Sequence, residues 1–255
     1  MSVQRYLVKA PGFGVDFGVT VVQPAKFYEC PITQPAAFLQ PDKYARAGFV
    51  LPLEMTHVAG VTYVLGVATG VTPSSVELDG GRSLTCDAIV VCTGLYYPFL
   101  SPARTGESYE SRAAFVRAFA PKIGAANTIV IGGGGPVGCE MAGVVRTLNP
   151  TAKIKLVCQG QKPMDQWPAG RDAKSTIAMR SRMTALNIDV LANETVEGEA
   201  SLERTEVRLV NASVTIEADA YLPMFAQWNT GFVTASLPGA TDKSGRILVD
   251  RYLLR

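Results

Sequence analysis

The feature that most constrains the fold is a glycine-rich turn near the middle of the chain. The segment TIVIGGGGPVGCEMAGVV begins with a short apolar strand over residues 128–131, which leads directly into glycines at 132–135. A helix over residues 137–148 follows and is ended by an Asn-Pro pair, and residues 153–158 then alternate as a second buried strand. A strand, a glycine turn, a helix and a strand within about 30 residues predict a βαβ dinucleotide-binding unit.

The glycines of this turn match the spacing G-x-G-x-x-G when they are aligned as Gly133, Gly135 and Gly138. In that motif the first glycine allows a tight turn, the second lets the backbone approach a pyrophosphate, and the third lets the helix pack against the strand. The helix start adds unpaired N–H groups and partial positive charge. We predict that these residues, with Gly134 between them, bind a dinucleotide; a purely structural glycine turn is the alternative.

The end of the second predicted strand lacks the acidic residue that binds the ribose in many NAD sites. It reads Cys158-Gln159-Gly160, with neither a carboxylate nor an arginine that would favour a 2′-phosphate. Gln159 is able to hydrogen-bond a ribose, and Lys162 is able to screen a phosphate. The sequence therefore keeps NAD(P)H as a cofactor with weakened affinity and does not choose between NADH and NADPH.

The composition excludes several classes of function. Charged residues make up 18% of the 255 residues and the net charge is +2, without a basic run, so nucleic-acid binding is not expected. No apolar stretch approaches the roughly 18 residues of a transmembrane helix. The cysteines form no C-x-x-C pair, and His57 has no partner pattern, so a structural histidine is the preferred interpretation. A hydrophobic share of 47% fits either a large core or a surface covered by protein partners.

The flanking segments predict further elements. Residues 61–97 are expected to be β-structure, ending in a fully apolar strand over residues 88–92 and the pair Thr93-Gly94. A helix is expected over residues 108–123, capped by Ser108 or Ser111, and an amphipathic helix over residues 172–188. The segment SGRILVDRYLLR predicts one more strand at the carboxyl end.

The order of the segments DAIVVCTG, IVIGGGGPVGCEMAGVV, IEADAYLPMFA and SGRILVDRYLL resembles the pyridine nucleotide-disulphide oxidoreductase superfamily. Because the disulphide cysteines are missing, the branch resembled is that of apoptosis-inducing-factor-like proteins and type II NADH dehydrogenases. The resemblance implies an α/β fold with two Rossmann-like dinucleotide-binding folds. Residues 1–100 and 235–255 would form a remnant FAD-type domain, and residues 101–234 an inserted NAD(P)-binding-type domain.

The resemblance also implies roles for individual residues. Gly133, Gly135 and Gly138 would form the NAD(P)H pyrophosphate turn, and Glu140 matches a family glutamate near the nicotinamide. The pair Thr93-Gly94 matches the element at the exit of the FAD domain. An active member of the family passes hydride from NAD(P)H to the flavin, which then reduces a quinone or another acceptor.

Four departures from the family pattern concern the FAD-type domain. Only four residues separate Gly14 of an early glycine turn from the strand that begins at Val19, whereas a parallel crossover needs a dozen or more. The first helix of this domain is therefore predicted to be missing, and the second strand ends at Gln23 rather than at an acid. Residues 224–226 read Met-Phe-Ala after an interrupting Pro223, and the sequence stops at Arg255, before the family's flavin-contacting Gly-Asp segment.

These departures lead to the expectation that FAD and redox activity are lost and that no residue is catalytic. The chain would then serve as an accessory subunit bound to the protein subunits of a larger assembly, mitochondrial by analogy with relatives. Two alternatives remain open. The chain is an active FAD-dependent NAD(P)H oxidoreductase, or it is a module that senses NAD(P)H without turnover.

Overall fold

The computed structural model describes residues 18–29, 34–43, 50–52, 60–101, 108–165 and 174–250. Over these residues strands and helices are mixed along the chain. The strands are β1 (Val19–Gln23), β2 (Phe27–Glu29), β3 (Val50–Pro52), β4 (Val61–Leu65), β5 (Ala68–Thr72), β6 (Ser75–Leu78), β7 (Ser83–Thr85), β8 (Leu95–Tyr96), β9 (Thr128–Gly132), β10 (Lys153–Val157), β11 (Asp189–Leu191), β12 (Val196–Glu197), β13 (Thr205–Leu209), β14 (Val214–Ala218), β15 (Ala220–Pro223) and β16 (Gln227–Trp228). The α-helices are α1 (Gln34–Leu39), α2 (Tyr109–Ala125), α3 (Pro136–Leu148), α4 (Lys174–Ala185) and α5 (Gly231–Ser236).

The central sheet consists of four parallel strands in the order β11-β10-β9-β15. The chain runs from β9 outward through β10 to β11, and later returns to place β15 on the other side of β9. The strand order therefore reverses at β9, and open α/β sheets bind ligands at the carboxyl ends of the strands beside such a reversal. The predicted α/β fold class and its βαβ unit are confirmed, with α3 beginning one residue earlier than expected.

Both faces of the central sheet are covered, which explains why its strands are almost entirely apolar. Side chains alternate between the two faces of a strand. Ile129 and Ile131 of β9 belong to the main core together with Phe119 of α2 and Val145 of α3. Val130 belongs to a second core that includes side chains of the antiparallel sheet β12-β13-β14. The sheet is therefore a buried layer between helices and a smaller sheet.

The two long flanking helices form where the sequence predicts them, with shifted ends. Ser108 caps α2, and its hydroxyl accepts the N–H of Ser111 at 3.1 Å. The second predicted helix corresponds to α4, which ends at Ala185, before the predicted end at 188. Asn187 has a left-handed φ of 52°, a conformation that asparagine adopts more readily than most residues and that cannot continue a helix.

A buried ion pair ties α2 to the amino-terminal segments. The Arg112 guanidinium donates to both carboxylate oxygens of Glu29 in β2, at 3.0 and 3.2 Å from its Nε, and both side chains are almost fully buried. It also donates to the side-chain oxygen of Gln34 in α1 at 2.9 Å and to the backbone carbonyl of Leu100. A buried pair of this kind is costly to break from one side, because the remaining charge is left without compensation. Arg112 therefore fixes the position of α2 against β2 and α1.

One predicted strand is wrong, and a second is not formed over the described part of its segment. Residues 88–92 form no strand, Val90 is 69% exposed and Cys92 is exposed rather than buried. Residues 245–250 contribute only an isolated bridge between Ile247 and Thr241. Both segments have the apolar composition of a strand. A strand also needs a neighbouring strand that pairs with its backbone N–H and C=O groups. Among the described residues, no strand pairs with either segment.

The structure describes only part of the amino-terminal segment, so it tests only some of the predictions made for it. The strand predicted from Val19 is confirmed as β1, and it pairs in parallel with β4. The early glycine turn with Gly12 and Gly14 lies outside the described residues, as do His57 and residues 251–255. The missing first helix and the division into residues 1–100 with 235–255 and residues 101–234 therefore stay predictions.

The interpretation of Pro223 as an interruption of its strand is wrong. Pro223 is the last residue of β15 and lies opposite Gly132 of β9. The missing proline N–H is tolerated at a strand end, where one ladder bond is lost rather than several. The next residue restores the pairing, since the N–H of Met224 donates to the carbonyl of Gly132 at 2.7 Å. The segment after β15 is thereby held beside the end of β9.

Candidate functional site

A cavity of about 520 Å³ opens at the carboxyl ends of the central strands. Its walls come from the glycine turn at 133–135, from residues 158–160 after β10, and from residues 224–226 after β15. The loop residues Lys162 and Asp165 complete the side beside β10. The cavity therefore lies where the strand order reverses, which is the position expected for a ligand in this type of sheet.

The glycine turn needs its glycines for different reasons. Gly133 has a left-handed φ of 113°, which side chains rarely allow. A Cβ added to Gly138 would overlap the backbone carbonyl oxygen of Gly133, so α3 can only approach the turn this closely without a side chain. A Cβ added to Gly135 would meet no atom within 4 Å. Gly133 and Gly138 therefore shape the turn, whereas Gly135 leaves its backbone open on the cavity side.

The beginning of α3 is suited to an anion. Gly135 caps the helix without a side-chain hydrogen bond, and Pro136 occupies the first turn, where its missing N–H is not needed. The first N–H groups of a helix have no partner within the helix, which here leaves the amides of Gly135, Val137 and Gly138. Together with the helix dipole they favour a phosphate group. The open backbone and these donors fit the pyrophosphate of a dinucleotide.

Two buried thiols flank the turn. Cys158 packs so closely against Gly134 that an added Cβ there would overlap its sulfur. Burial raises the pKa of Cys158 to about 11. Burial and then the neighbouring Cys158 raise the pKa of Cys139 in α3 to about 12. Both side chains are therefore neutral thiols that pack the turn and not thiolate nucleophiles.

Two acidic residues of the cavity wall escaped the sequence analysis. Asp165 packs closely against Gly160, as shown by an added Gly160 Cβ, which would lie only 2.7 Å from the Asp165 Cβ. Glu194 follows β11 and also lines the cavity. The turn residues Gly160 and Pro163 mark a loop in the sequence, but they do not show that the loop folds back onto the strand end. No acidic residue follows β10 directly along the chain, but the fold brings the Asp165 carboxylate beside the end of this strand. The prediction that no carboxylate lies there is therefore wrong.

The Glu194 carboxylate is held by the backbone around it. It accepts the N–H groups of Thr195 at 2.8 Å, Asn211 at 2.7 Å and Ala212 at 2.9 Å. Burial acts to raise the pKa of Glu194, but the N–H donors, led by Asn211, lower it below its usual value. Because its oxygens are occupied by backbone donors, the main effect of Glu194 is to fix the loop after β11 to the turn between β13 and β14.

The remaining predicted site residues take different positions. Gln159 lines the cavity with the glycine turn. Glu140 lies on the exposed side of α3 and is not among the residues that line the cavity, and partial desolvation raises its pKa. The Thr93 hydroxyl donates to the carbonyl of Asn229 at 2.6 Å, and the Asn229 N–H donates to the carbonyl of Gly94 at 3.2 Å. Thr93 and Gly94 therefore join the segments around β8 and β16, and their assigned roles stay predictions.

Neither a membrane-spanning helix nor a metal-binding cluster is found among the described residues. No helix within the described ranges has both the length and the apolar character needed to cross a membrane. Among the same residues, no three side chains of the His, Cys, Asp or Glu type come together in a way that could hold a metal ion.

Comparisons with known proteins agree with this geometry. The sequence profile of the pyridine nucleotide-disulphide oxidoreductases matches residues 19–254. Apoptosis-inducing factor homolog B of Dictyostelium discoideum is 25% identical, over 91% of this chain and 65% of that protein. Oxidoreductase phnG of Penicillium herquei is 31% identical, over 71% of this chain and 47% of that protein. The fold resembles that of a ferredoxin reductase for the CYP199A2 system from Rhodopseudomonas palustris, with a TM-score of 0.64, 16% identity and coverage of 92% and 58%. The chain thus spans about half to two thirds of the length of these proteins.

The close approach of α3 to the turn predicts opposite effects for two glycines of the same helix. Gly138→Ala should destabilise the protein by about 1–3 kcal/mol, because its methyl group collides with backbone that cannot move aside. Gly143→Ala should stabilise it by about 0.5–1 kcal/mol, because a Cβ at residue 143 meets nothing within 4 Å and alanine favours the helix. Urea unfolding of the two variants and the wild type measures both effects, and equal effects would contradict the geometry of the turn.

Proposed function

The chain belongs to the pyridine nucleotide-disulphide oxidoreductase family, and from this premise we propose that it binds NAD(P)H in the cavity beside the glycine turn, as the hydride donor of an oxidoreductase. The observation that carries the proposal is the pairing of Gly138 with Gly133. It brings the start of α3 to the end of β9 and leaves the Gly135 backbone accessible. The helix start and the accessible backbone are thereby placed to bind a pyrophosphate.

The two ends of the cavity differ in a way that suits a dinucleotide. On the β10 side the lining includes the polar side chains of Gln159, Lys162 and Asp165. On the β15 side it includes the apolar side chains of Met224 and Phe225. A ribose favours the polar side, and a planar ring favours the apolar side, where neighbouring side chains exclude water. Bound NAD(P)H would supply the hydride, and these residues would bind and orient it.

The acceptor of the hydride is proposed from the family alone. A relative from Flammulina velutipes is named an FAD-dependent oxidoreductase, and a solved structure of similar fold is of an enzyme bound to NADPH, so membership favours a flavin acceptor over the predicted loss of FAD. The parts of the chain that the structure describes contain one glycine turn leading into a helix, at 133–135, and the early glycine turn lies outside them.

A second candidate function is an accessory subunit that has lost FAD, located in a mitochondrial complex by analogy. One observation favours it: β1 does begin at Val19, so only four residues separate Gly14 from this strand. A helix that presents its amino terminus to a flavin pyrophosphate needs more residues than that. The exposed apolar side chains of Val90, Leu95 and Trp228 offer surface that protein partners would cover.

Flavin content separates the two candidates. The oxidoreductase proposal predicts a flavin spectrum in the purified protein at about one flavin per chain, either as isolated or after incubation with FAD. The accessory-subunit proposal predicts no flavin and association with other subunits. Binding of NADH or NADPH without flavin would instead select the sensing module. The measurement is visible absorbance of the protein after removal of free cofactor, with the denatured supernatant as a check on stoichiometry.

The dinucleotide site itself is tested with Gly135→Leu. The wild type should gain thermal stability with NADH or NADPH, by about 2.7 kcal/mol at a concentration one hundred times the Kd. The leucine side chain should abolish this gain, because it fills the space through which the backbone approaches the pyrophosphate.

The matched control is Gly124→Leu. Gly124 also lies in a helix, and an added Cβ there likewise meets no atom within 4 Å, but it does not line the cavity. This variant should keep the full ligand-induced shift. A shift that persists in Gly135→Leu, or that is lost equally in both variants, would show that the turn is not the binding site.

A further inference from the structure

In the structure, a carboxylate lies beside the end of β10, although no acidic residue directly follows this strand in the sequence. Dinucleotide sites that prefer NADH commonly place an acid at the end of the second strand, where it accepts hydrogen bonds from the adenosine ribose. The residues that follow β10 directly are Cys158, Gln159 and Gly160, and none of them carries a charge. The loop over residues 159–165 supplies the missing group.

This loop is fixed to the glycine turn by backbone hydrogen bonds. The N–H of Met164 donates to the carbonyl of Gly134 at 2.7 Å, and Met164 has a left-handed φ of 65° that reverses the chain. The N–H of Asp165 donates to the carbonyl of Lys162 at 3.2 Å. From the other side, the N–H of Asn193 donates to the carbonyl of Gly160 at 3.0 Å. The loop therefore has a defined path back toward the end of β10.

At the end of this path the Asp165 carboxylate lies beside the strand end. One carboxylate oxygen accepts the N–H of Gln161 at 3.1 Å. A Cβ on Gly160 would lie 3.0 Å from the same oxygen, so the carboxylate occupies the space above a residue that has no side chain. Gln159, Gly160 and Asp165 all line the cavity. Asp165 thus lies at the strand end where dinucleotide sites commonly place an acid that accepts hydrogen bonds from the ribose. Along the chain, it lies eight residues after the last residue of β10.

The neighbouring charges decide which dinucleotide this position favours. A guanidinium nitrogen of Arg180 lies 3.7 Å from the second oxygen of Asp165, and the Arg180 Nε donates to the carbonyl of Pro163 at 2.9 Å. The guanidinium is thereby engaged by the loop. Lys162 also lines the cavity, but its side chain is exposed and has a flexible stem. Glu194, the other acid of the cavity wall, is occupied by backbone N–H groups.

We propose that Asp165 is the residue that gives this site a preference for NADH over NADPH, an inference that rests on the proposed binding of NAD(P)H in this cavity. The carboxylate accepts hydrogen bonds from the ribose hydroxyls of NADH, which are charge-assisted and therefore strong. The 2′-phosphate of NADPH would bring between one and a half and two negative charges, on the order of those of a phosphorylated side chain, against the same carboxylate.

The test is the ratio of the dissociation constants for NADH and NADPH in the full chain, measured by calorimetric titration. The wild type should bind NADH more tightly by about tenfold or more, since a hydrogen bond to a charged group is worth about 1.5–3 kcal/mol. Asp165→Asn keeps an oxygen for the Gln161 N–H but removes the charge. It should weaken NADH binding and remove the charge repulsion against the 2′-phosphate of NADPH, so the ratio should fall about tenfold or more.

Asp189→Asn is the matched control. It removes one carboxylate from the neighbouring strand β11, where Asp189 pairs with Lys155 at 2.7 Å and does not line the cavity. The ratio should stay at the wild-type value in this variant. Melting temperatures without ligand check that both variants fold, and Asp165→Ser, which also removes the charge and should also reduce the ratio, replaces Asp165→Asn if that variant does not fold.

The outcomes distinguish this inference from the proposed function. A wild type that prefers NADPH would show that Lys162 and not Asp165 dominates, and would overturn the inference while leaving the binding of NAD(P)H intact. A preference for NADH that is unchanged in Asp165→Asn, or changed equally in Asp189→Asn, would also overturn it. If neither dinucleotide binds the wild type, the proposed function fails, and the inference fails with it.

Discussion

The interaction on which the rest of the structure depends is the contact between the backbone of Gly133 and the Cα of Gly138. It allows α3 to start directly against the end of β9, and no residue with a side chain could replace Gly138 without overlap. The same contact leaves the first amides of the helix beside the cavity, at the reversal of the strand order. A packing constraint and the proposed binding site are therefore two consequences of one arrangement of backbone atoms.

The βαβ unit around this contact could be predicted from the sequence because its signals are local. The strand β9, the turn and α3 follow one another directly, and each has its own pattern of apolar residues, glycines and helix ends. Ser108 could likewise be recognised as the cap of α2, because a cap acts on residues within the first turn of its own helix. The start of α3 differed from the prediction by one residue, since proline is tolerated in the first turn.

The features that the sequence could not provide depend on distant neighbours. Residues 88–92 have the composition of a buried strand, but composition does not show whether another strand will pair with them. The return of Asp165 to the end of β10 requires the left-handed backbone of Met164 and its hydrogen bond to Gly134, and neither follows from residue spacing. The family resemblance was read correctly, yet the expected loss of FAD drew on a segment outside the described residues. The structure therefore supports the proposed dinucleotide site, and the flavin content of the purified protein tests the expected loss of FAD.

Amide hydrogen exchange with and without NADH tests the central claim most directly, because it reports on the backbone groups that would hold the pyrophosphate. We expect slower exchange in peptides that cover residues 133–139 and 158–165 when NADH is bound, with little change in the sheet formed by β5, β6 and β7. Binding that leaves exchange at residues 133–139 unchanged, or protects only the β5-β6-β7 sheet, would contradict it.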